Sequence, residues 1–149
     1  MIRKVRLILK EETVEYSKDK ITTTADVVNF MNTNESIGVL AEESAFIICM
    51  NVKNEVLAYS EVAKGATSEC NIDPKTIFKI ALLCNASKLI LVHNHPSGDP
   101  TPSGIDIKVT SRLQEACKLM SLELLDHVVM SGDRYASCMN EISKIRGGE

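Results

Sequence analysis

The fold is decided by residues 88–106, which read Lys-Leu-Ile-Leu-Val-His-Asn-His-Pro-Ser-Gly-Asp-Pro-Thr-Pro-Ser-Gly-Ile-Asp. The unbroken apolar run over 89–92, after Lys88, predicts a short strand over 88–92 that is buried on both faces. The prolines and glycine that follow force a loop, and Ser103 opens a helix with an apolar side. A buried strand joined to an amphipathic helix in this way is typical of α/β proteins.

Elements of both kinds are predicted on either side of this stretch. Short β-branched or apolar runs predict strands, and a polar turn over 51–54 joins two of them into a hairpin. Asp73-Pro74 predicts a helix start, because Asp caps free amides and Pro at the first helical position loses no needed donor. The predicted strands cover residues 5–11, 46–51, 55–62 and 124–130, and the predicted helices begin near Thr24 and at Pro74. After the turn at 131–133 the pattern leaves open a final strand or a short helix.

Composition limits what the chain can be. Its 149 residues, 44% of them apolar, suit one domain with a hydrophobic core. With 17 basic and 20 acidic residues and a net charge of −3, a broad phosphate-binding face is not expected. No apolar stretch approaches the roughly 20 residues of a membrane span, so we expect a soluble protein with no membrane partner.

The five cysteines are odd in number and contain no C-x-x-C pair, which fits neither a disulfide framework nor a zinc ribbon. Three of them, Cys49, Cys84 and Cys117, fall in apolar periodic segments and are expected to be small buried side chains. Free thiols of this kind point to a reducing compartment, and we expect a cytoplasmic protein.

Two of the three histidines, His93 and His95, directly follow the buried strand. If extended backbone continues through them, both imidazoles lie on one side and form half of a metal site. A single H-x-H is weak evidence by itself, because histidines exposed in loops are common.

The Ser103-Gly104-Ile105-Asp106 tetrapeptide allows two interpretations. It has the form of a capping box, in which Ser103 caps the helix and Asp106 is an acid of the first turn. Asp106 can also be a third metal ligand, and two His with one Asp leave one tetrahedral position open, as in catalytic zinc sites. Such a site needs a nearby base, and the spacing alone does not choose between Glu42 and Glu43.

These residues resemble the JAB/MPN metalloprotease fold, whose JAMM signature is a glutamate followed at a distance by H-x-H-x7-S-x-x-D. His93, His95, Ser103 and Asp106 match that spacing without a gap, and Asp126-His127 adds a likeness to the RadC branch. The resemblance covers about residues 43–132. It implies a three-layer α/β fold of the cytidine deaminase-like, JAB/MPN type, with a central mixed sheet and flanking helices.

The resemblance also implies roles. His93, His95 and Asp106 would bind Zn²⁺, Glu43 would transfer the proton, and Ser103 would donate a hydrogen bond to the developing oxyanion. In the RadC branch the glutamate lies eight residues before the Asn of the hairpin turn, which selects Glu43 over Glu42. His127 is expected to be a packing residue or a partner of a metal ligand, in preference to a fourth ligand.

Three functions follow as hypotheses. The first is a zinc-dependent hydrolase of amide bonds, acting on a peptide or isopeptide in a protein substrate. The second is a DNA-repair or other nucleic-acid role, which the net negative charge disfavours. The first 40 residues are also too short for the helix-hairpin-helix region of longer RadC relatives, which weakens this hypothesis further. The third is a metal-binding scaffold without turnover.

We expect residues 1–40 to give a strand and a short helix integral to the domain. Residues 41–149 are expected to form the metallohydrolase core. The oligomeric state is not predicted.

Overall fold

The predicted central strand forms in the computed structural model, which describes residues 19–65 and 72–147, and it runs two residues further than predicted, to Asn94. The elements of the described residues follow in the order α1 (Thr24–Asn34), a 3-10 turn (Ile37–Val39), β1 (Ser44–Met50), β2 (Val56–Lys64), α2 (Pro74–Leu83), β3 (Lys88–Asn94), α3 (Gly104–Leu119), β4 (Glu123–Ser131), β5 (Arg134–Ser137) and α4 (Cys138–Gly147). The strand predicted over 5–11 lies outside the described residues.

The strands of the described residues form one mixed sheet in the order β2-β1-β3-β4-β5. β1 is antiparallel to both β2 and β3, β3 is parallel to β4, and β5 returns antiparallel to β4. The parallel pair is joined by α3, because parallel neighbours need a crossover connection. The predicted hairpin and the central mixed sheet are confirmed.

Helices cover both faces of the sheet, which confirms the three-layer α/β fold. Alternation along the strands sends Ile90 and Val92 to one face, where they pack with α1. It sends Leu89 and Leu91 to the other face, where they pack with α2 and α3. All seven residues of β1 are buried, since this strand is covered on both faces and paired along both edges.

The helix starts follow the predicted chemistry. Asp73 caps α2 by accepting the Lys75 N–H. The capping box of α1 uses Thr23 with Asp26, so the helix begins at the predicted Thr24 with its cap one residue earlier. A strand and a helix both follow the 131–133 turn, so the two endings left open by the sequence occur in succession.

The expectation of buried cysteines is right for Cys49 and Cys117 and too strong for Cys84. Cys49 and Cys117 are fully buried in the core under α2 and α3. Cys84 is only partly buried, because it lies just beyond the last turn of α2, where the helix ends. No helix in residues 19–65 and 72–147 is both long and apolar enough to cross a bilayer.

Candidate metal centre

The end of β3 carries His93 and His95 to the same side of the sheet. His93 pairs with Ala45 of β1 and Val129 of β4, and is 1% exposed. The His95 N–H donates to the Met130 carbonyl at 2.8 Å, which continues the β3–β4 pairing by one residue. The backbone is therefore extended through both histidines, and the imidazole rings lie with centroids 4.8 Å apart.

The first turn of α3 places Asp106 beside this pair. Ser103 accepts the Asp106 N–H at 3.1 Å, and Asp106 Oδ2 accepts the Ser103 N–H at 2.7 Å, which completes the predicted capping box. The same carboxylate lies against the histidines, with Oδ1 3.2 Å from His93 Nε2 and Oδ2 3.4 Å from His95 Nε2. Capping and contact with the histidines are therefore compatible.

Glu43 is the residue just before β1, and its side chain reaches the histidine pair. Its Oε1 atom lies 3.9 Å from His93 Nε2. One ligand atom each from Glu43, His93 and His95 lie within 4.8 Å of one another, so this group could hold a metal ion. Glu42 is exposed to solvent. Spacing alone left both Glu42 and Glu43 as candidates for the base. By position, Glu43 is the one that lies beside the histidines.

Hydrogen bonds fix which nitrogen of His95 carries the hydrogen. His95 Nδ1 lies 3.0 Å from the Asp99 carbonyl oxygen, which can only accept. Nδ1 is therefore the donor, and in the neutral ring Nε2 presents a lone pair.

A longer chain of hydrogen bonds determines which nitrogen of His93 carries the hydrogen. The Thr110 hydroxyl donates to the Asp106 carbonyl at 2.6 Å, so at 2.7 Å from His127 Nδ1 it must accept. His127 Nε2 is then an acceptor, and His93 Nδ1 donates to it at 2.8 Å. His93 Nε2 is left with a lone pair as well. Burial lowers the pKa of His127 to about 3, which keeps this ring neutral.

The centre of the site is thus a set of acceptors. The two Nε2 atoms are 2.9 Å apart and face the carboxylates of Asp106 and Glu43. Positive charge among its members, from a proton or a metal ion, stabilises such a group. A tetrahedral zinc ion with bonds of about 2.0–2.1 Å separates neighbouring ligand atoms by roughly 3.3 Å, which is close to the distances between His93, His95 and Asp106. The residues present therefore fit a zinc ion.

The charges of the site agree with that conclusion. Burial opposes ionisation of Asp106, but the hydrogen bonds that His93 and His95 donate to it when their Nε2 atoms are protonated outweigh burial and hold the pKa of the carboxyl well below its usual range. Protonation of His95 Nε2 allows it to donate a hydrogen bond to Asp106, and this raises the pKa of His95 against the opposing effect of burial. Both shifts mean that the site attracts positive charge.

The 96–102 loop is held by several polar contacts. Asp99 accepts from the backbone and hydroxyl of Thr101, Ser131 donates to the His95 carbonyl at 2.7 Å, and the Arg134 guanidinium donates to the Gly98 carbonyl. Gly98 has a φ of 94°, a conformation that favours glycine. The loop is therefore anchored to β4 and β5 on one side and to the His95 ring on the other.

A cavity of about 330 Å³ opens over the site. Its wall combines the polar side chains of Glu43, His95, Ser103 and Asp106 with apolar ones from Ile72, Ile105 and Val109. An apolar cleft with a few convergent polar groups is the usual form of a binding site for a substrate.

Comparison with known proteins agrees with this geometry. The family model of the RadC-like JAB domain matches residues 21–143. The chain belongs to the RadC-like JAB domain family. A UPF0758 protein of Caldanaerobacter subterraneus is 38% identical over 132 residues, which cover 89% of this chain and 54% of that protein. One from Halalkalibacterium halodurans is 43% identical over 127 residues (85% and 53%), and one from Methanosarcina barkeri 34% over 131 (88% and 56%).

The resemblance read from the sequence is thus confirmed at the level of the family. This RadC-like JAB domain spans about half the length of the curated relatives it matches. The division at residue 40 stays a prediction.

Sequence reasoning missed two polar residues of this RadC-like JAB domain. Thr110 is fully buried on α3, and Asn94 is 1% exposed between the two histidines. A signal existed for Thr110, which lies four residues after Asp106 and three before the buried Leu113, and so on the buried face of the helix. Nothing local marks Asn94, because its partners are about fifty residues away.

Proposed function

We propose that this domain is a zinc-dependent hydrolase of amide bonds in a peptide or isopeptide substrate, with His93, His95 and Asp106 as the zinc ligands. The observation that carries the proposal is the pair of Nε2 lone pairs that face each other at 2.9 Å beside two carboxylates. No described donor neutralises that arrangement, whereas a divalent cation does.

Distances favour Asp106 over Glu43 as the third ligand. Both Asp106 oxygens lie within 3.4 Å of a histidine nitrogen, while Glu43 approaches to 3.9 Å. Asp106 is also tied to the Ser103 N–H at 2.7 Å, so its carboxylate is already oriented. Glu43 is left beside the position that the three ligands leave open, where a general base is needed.

The chemistry divides among the side chains in this way. Zinc at this position would lower the pKa of a water molecule and polarise the carbonyl group of the substrate. Glu43 takes the proton from the attacking water as the new carbon–oxygen bond forms, and gives it to the nitrogen as the carbon–nitrogen bond breaks. Ser103 already accepts the Asp106 N–H, so its own hydroxyl hydrogen is available to the substrate oxygen.

The cleft supports a peptide as the substrate class. Ile72, Ile105 and Val109 form an apolar wall beside the polar groups, and a peptide side chain can occupy it while the amide bond lies over His95 and Glu43. We therefore propose a protein or peptide partner. No feature of the described residues favours a nucleic acid in its place.

The test combines metal analysis with turnover. The purified protein, loaded with one equivalent of Zn²⁺, is incubated with peptide and isopeptide libraries, and cleavage is followed by mass spectrometry. We expect Glu43→Gln to keep its zinc and to lose about 10²- to 10⁴-fold in rate, the usual contribution of a general base. The matched control is Glu42→Gln, an exposed neighbour that should keep full activity. Zinc-loaded protein without Glu43-dependent cleavage would overturn the proposal and leave a metal-binding scaffold.

We also propose that the protein works in the cytoplasm. Its described cysteines, Cys49, Cys84, Cys117 and Cys138, are all free thiols, which supports a reducing compartment. Fractionation of cells expressing the native protein, with detection by antibody, tests this location.

A further inference from the structure

Asn94 faces the opposite side of the sheet from the metal centre. It lies between His93 and His95, and strand alternation points its side chain toward the core under α1. There its carboxamide makes three hydrogen bonds with the segment that leads into β1. Oδ1 accepts the Ser44 N–H at 2.8 Å, and Nδ2 donates to the carbonyls of Leu40 at 3.2 Å and Glu42 at 3.0 Å.

These hydrogen bonds enclose Glu43. The Glu42 carbonyl belongs to the peptide group before the Glu43 Cα, and the Ser44 N–H belongs to the peptide group after it. Peptide groups are planar, so fixing both of them fixes the backbone angles of Glu43 and the direction of its Cα–Cβ bond. A further hydrogen bond, from the Gly65 N–H to the Glu43 carbonyl at 2.8 Å, holds the same unit from β2.

The hydrogen-bonding pattern requires an asparagine. The site uses two donors and one acceptor on one planar group, and a carboxamide provides them. Aspartate has the same shape but no donor, and it would turn a carboxylate oxygen toward two carbonyl oxygens. An apolar residue would remove all three hydrogen bonds, of which the one from the Ser44 N–H is buried and those to the Leu40 and Glu42 carbonyls are part-buried.

We infer that Asn94 is a positioning residue that holds Glu43 in place for its role at the metal centre. This inference rests on the proposed function, because it assigns Asn94 to the base of that reaction. The His93-Asn94-His95 tripeptide then presents two ligands on one face of the sheet. From the other face, its Asn94 holds the backbone of Glu43, the proposed base. Ligands and base are therefore tied to the same short segment at the end of β3.

The test compares Asn94→Asp, which keeps the shape and removes both donors, with Asn94→Ser as a milder second variant. The matched control is Asn51→Ser at the other end of β1. The Asn51 side chain also makes three hydrogen bonds, accepting from the N–H groups of Lys53 and Glu55 and donating to the Glu55 carboxylate, but it holds only the hairpin turn. A general loss of stability would therefore appear in all three variants.

Three readouts separate positioning from stability. Hydrogen exchange should quicken by about tenfold or more at the amides of 41–44 in the Asn94 variants and not in Asn51→Ser. Zinc affinity should stay within about threefold of the native value, in contrast to the 10- to 100-fold loss expected when a group that orients a ligand is removed. The absorption spectrum of bound Co²⁺ should shift to that of Glu43→Gln in the Asn94 variants only.

The outcomes are distinct. Unchanged exchange at 41–44, or a native Co²⁺ spectrum in both Asn94 variants, overturns the inference. If the native protein binds neither Zn²⁺ nor Co²⁺, the proposed function fails, and the assignment of Asn94 to a metal-site base fails with it. If the metal binds and only the Asn94 effects are missing, the proposed function stands and the role of Asn94 does not.

Discussion

The Nε2 atoms of His93 and His95 lie 2.9 Å apart, and each of them presents a lone pair toward the other. The hydrogens of both rings are used elsewhere, by His127 and by the Asp99 carbonyl. Two acceptors at this distance repel each other, so the native structure around them is stabilised by any cation that enters. Several consequences can be measured without knowledge of the substrate.

Metal binding should stabilise the fold. At a free Zn²⁺ concentration 100 times the dissociation constant, we expect about 2.7 kcal/mol of added stability and a matching rise in Tm. His95→Ala removes one ligand and should abolish this rise while the metal-free protein still folds, since His95 lies beyond the end of β3 and is partly exposed. Thermal unfolding with and without Zn²⁺, in both proteins, provides the measurement. An equal rise in the His95→Ala variant would contradict the assigned ligand.

Zinc affinity should fall in acid, beginning above the ordinary titration range of histidine. The pKa of His95 is raised because its protonated ring donates a hydrogen bond to Asp106, and only the neutral ring can bind metal. As the pH falls through that raised pKa, protons compete with zinc, and affinity should drop about tenfold per pH unit for each proton displaced. Asp106 does not add to this slope, because its pKa is held well below its usual range.

The measurement is a chelator competition between pH 8 and pH 6, corrected for protonation of the chelator. Glu42→Gln is a suitable control, since an exposed carboxylate should not change the slope. A dissociation constant that does not change across this range would show that zinc binding displaces no proton from a histidine.

The parts of the site that could be predicted are those in which neighbours along the chain carry the information. Ser103 and Asp106 form a capping box because they are three residues apart, and His93 and His95 share a face because the strand continues through them. The apolar run over 89–92 lies in a fully buried part of β3, which is the environment that such a run predicts.

The contacts that could not be predicted join residues distant in sequence. Asn94 meets Leu40, Glu42 and Ser44 across 50 to 54 positions, and nothing near Asn94 in the chain indicates that register. Glu43 could be separated from Glu42 only through the family resemblance, because both precede the same strand. Side-chain hydrogen bonds across a sheet depend on pairing, which local patterns do not fix.

Thr110 should tune the metal site through His127. Thr110→Val keeps the shape but removes the hydroxyl that accepts from His127 Nδ1. The tautomer and the orientation of the His127 ring, which accepts from His93 Nδ1, are then no longer fixed. We expect zinc affinity about 10- to 100-fold weaker and a loss of roughly 1–3 kcal/mol in unfolding free energy. Thr110→Ser keeps a hydroxyl and should stay close to native in both measurements. Equal zinc affinity in the Val and Ser variants would show that the hydrogen-bond chain does not act on the ligand.

Gly38 should be intolerant of even one added carbon atom. The 3-10 turn that contains it packs against the β4–β5 turn, where the Gly132 N–H donates to the Gly38 carbonyl at 2.8 Å. A Cβ atom on Gly38 would lie 2.5 Å from the Gly132 carbonyl oxygen, so one backbone segment must move. We expect Gly38→Ala to lower the unfolding free energy by about 1–3 kcal/mol, the usual cost of overpacking. Gly104→Ala is the control, because its Cβ would meet nothing within 4 Å at the start of α3, and it should stay within about 0.5 kcal/mol of native. Urea unfolding followed by circular dichroism compares the two variants, and equal stabilities would show that the contact between the two turns yields without cost.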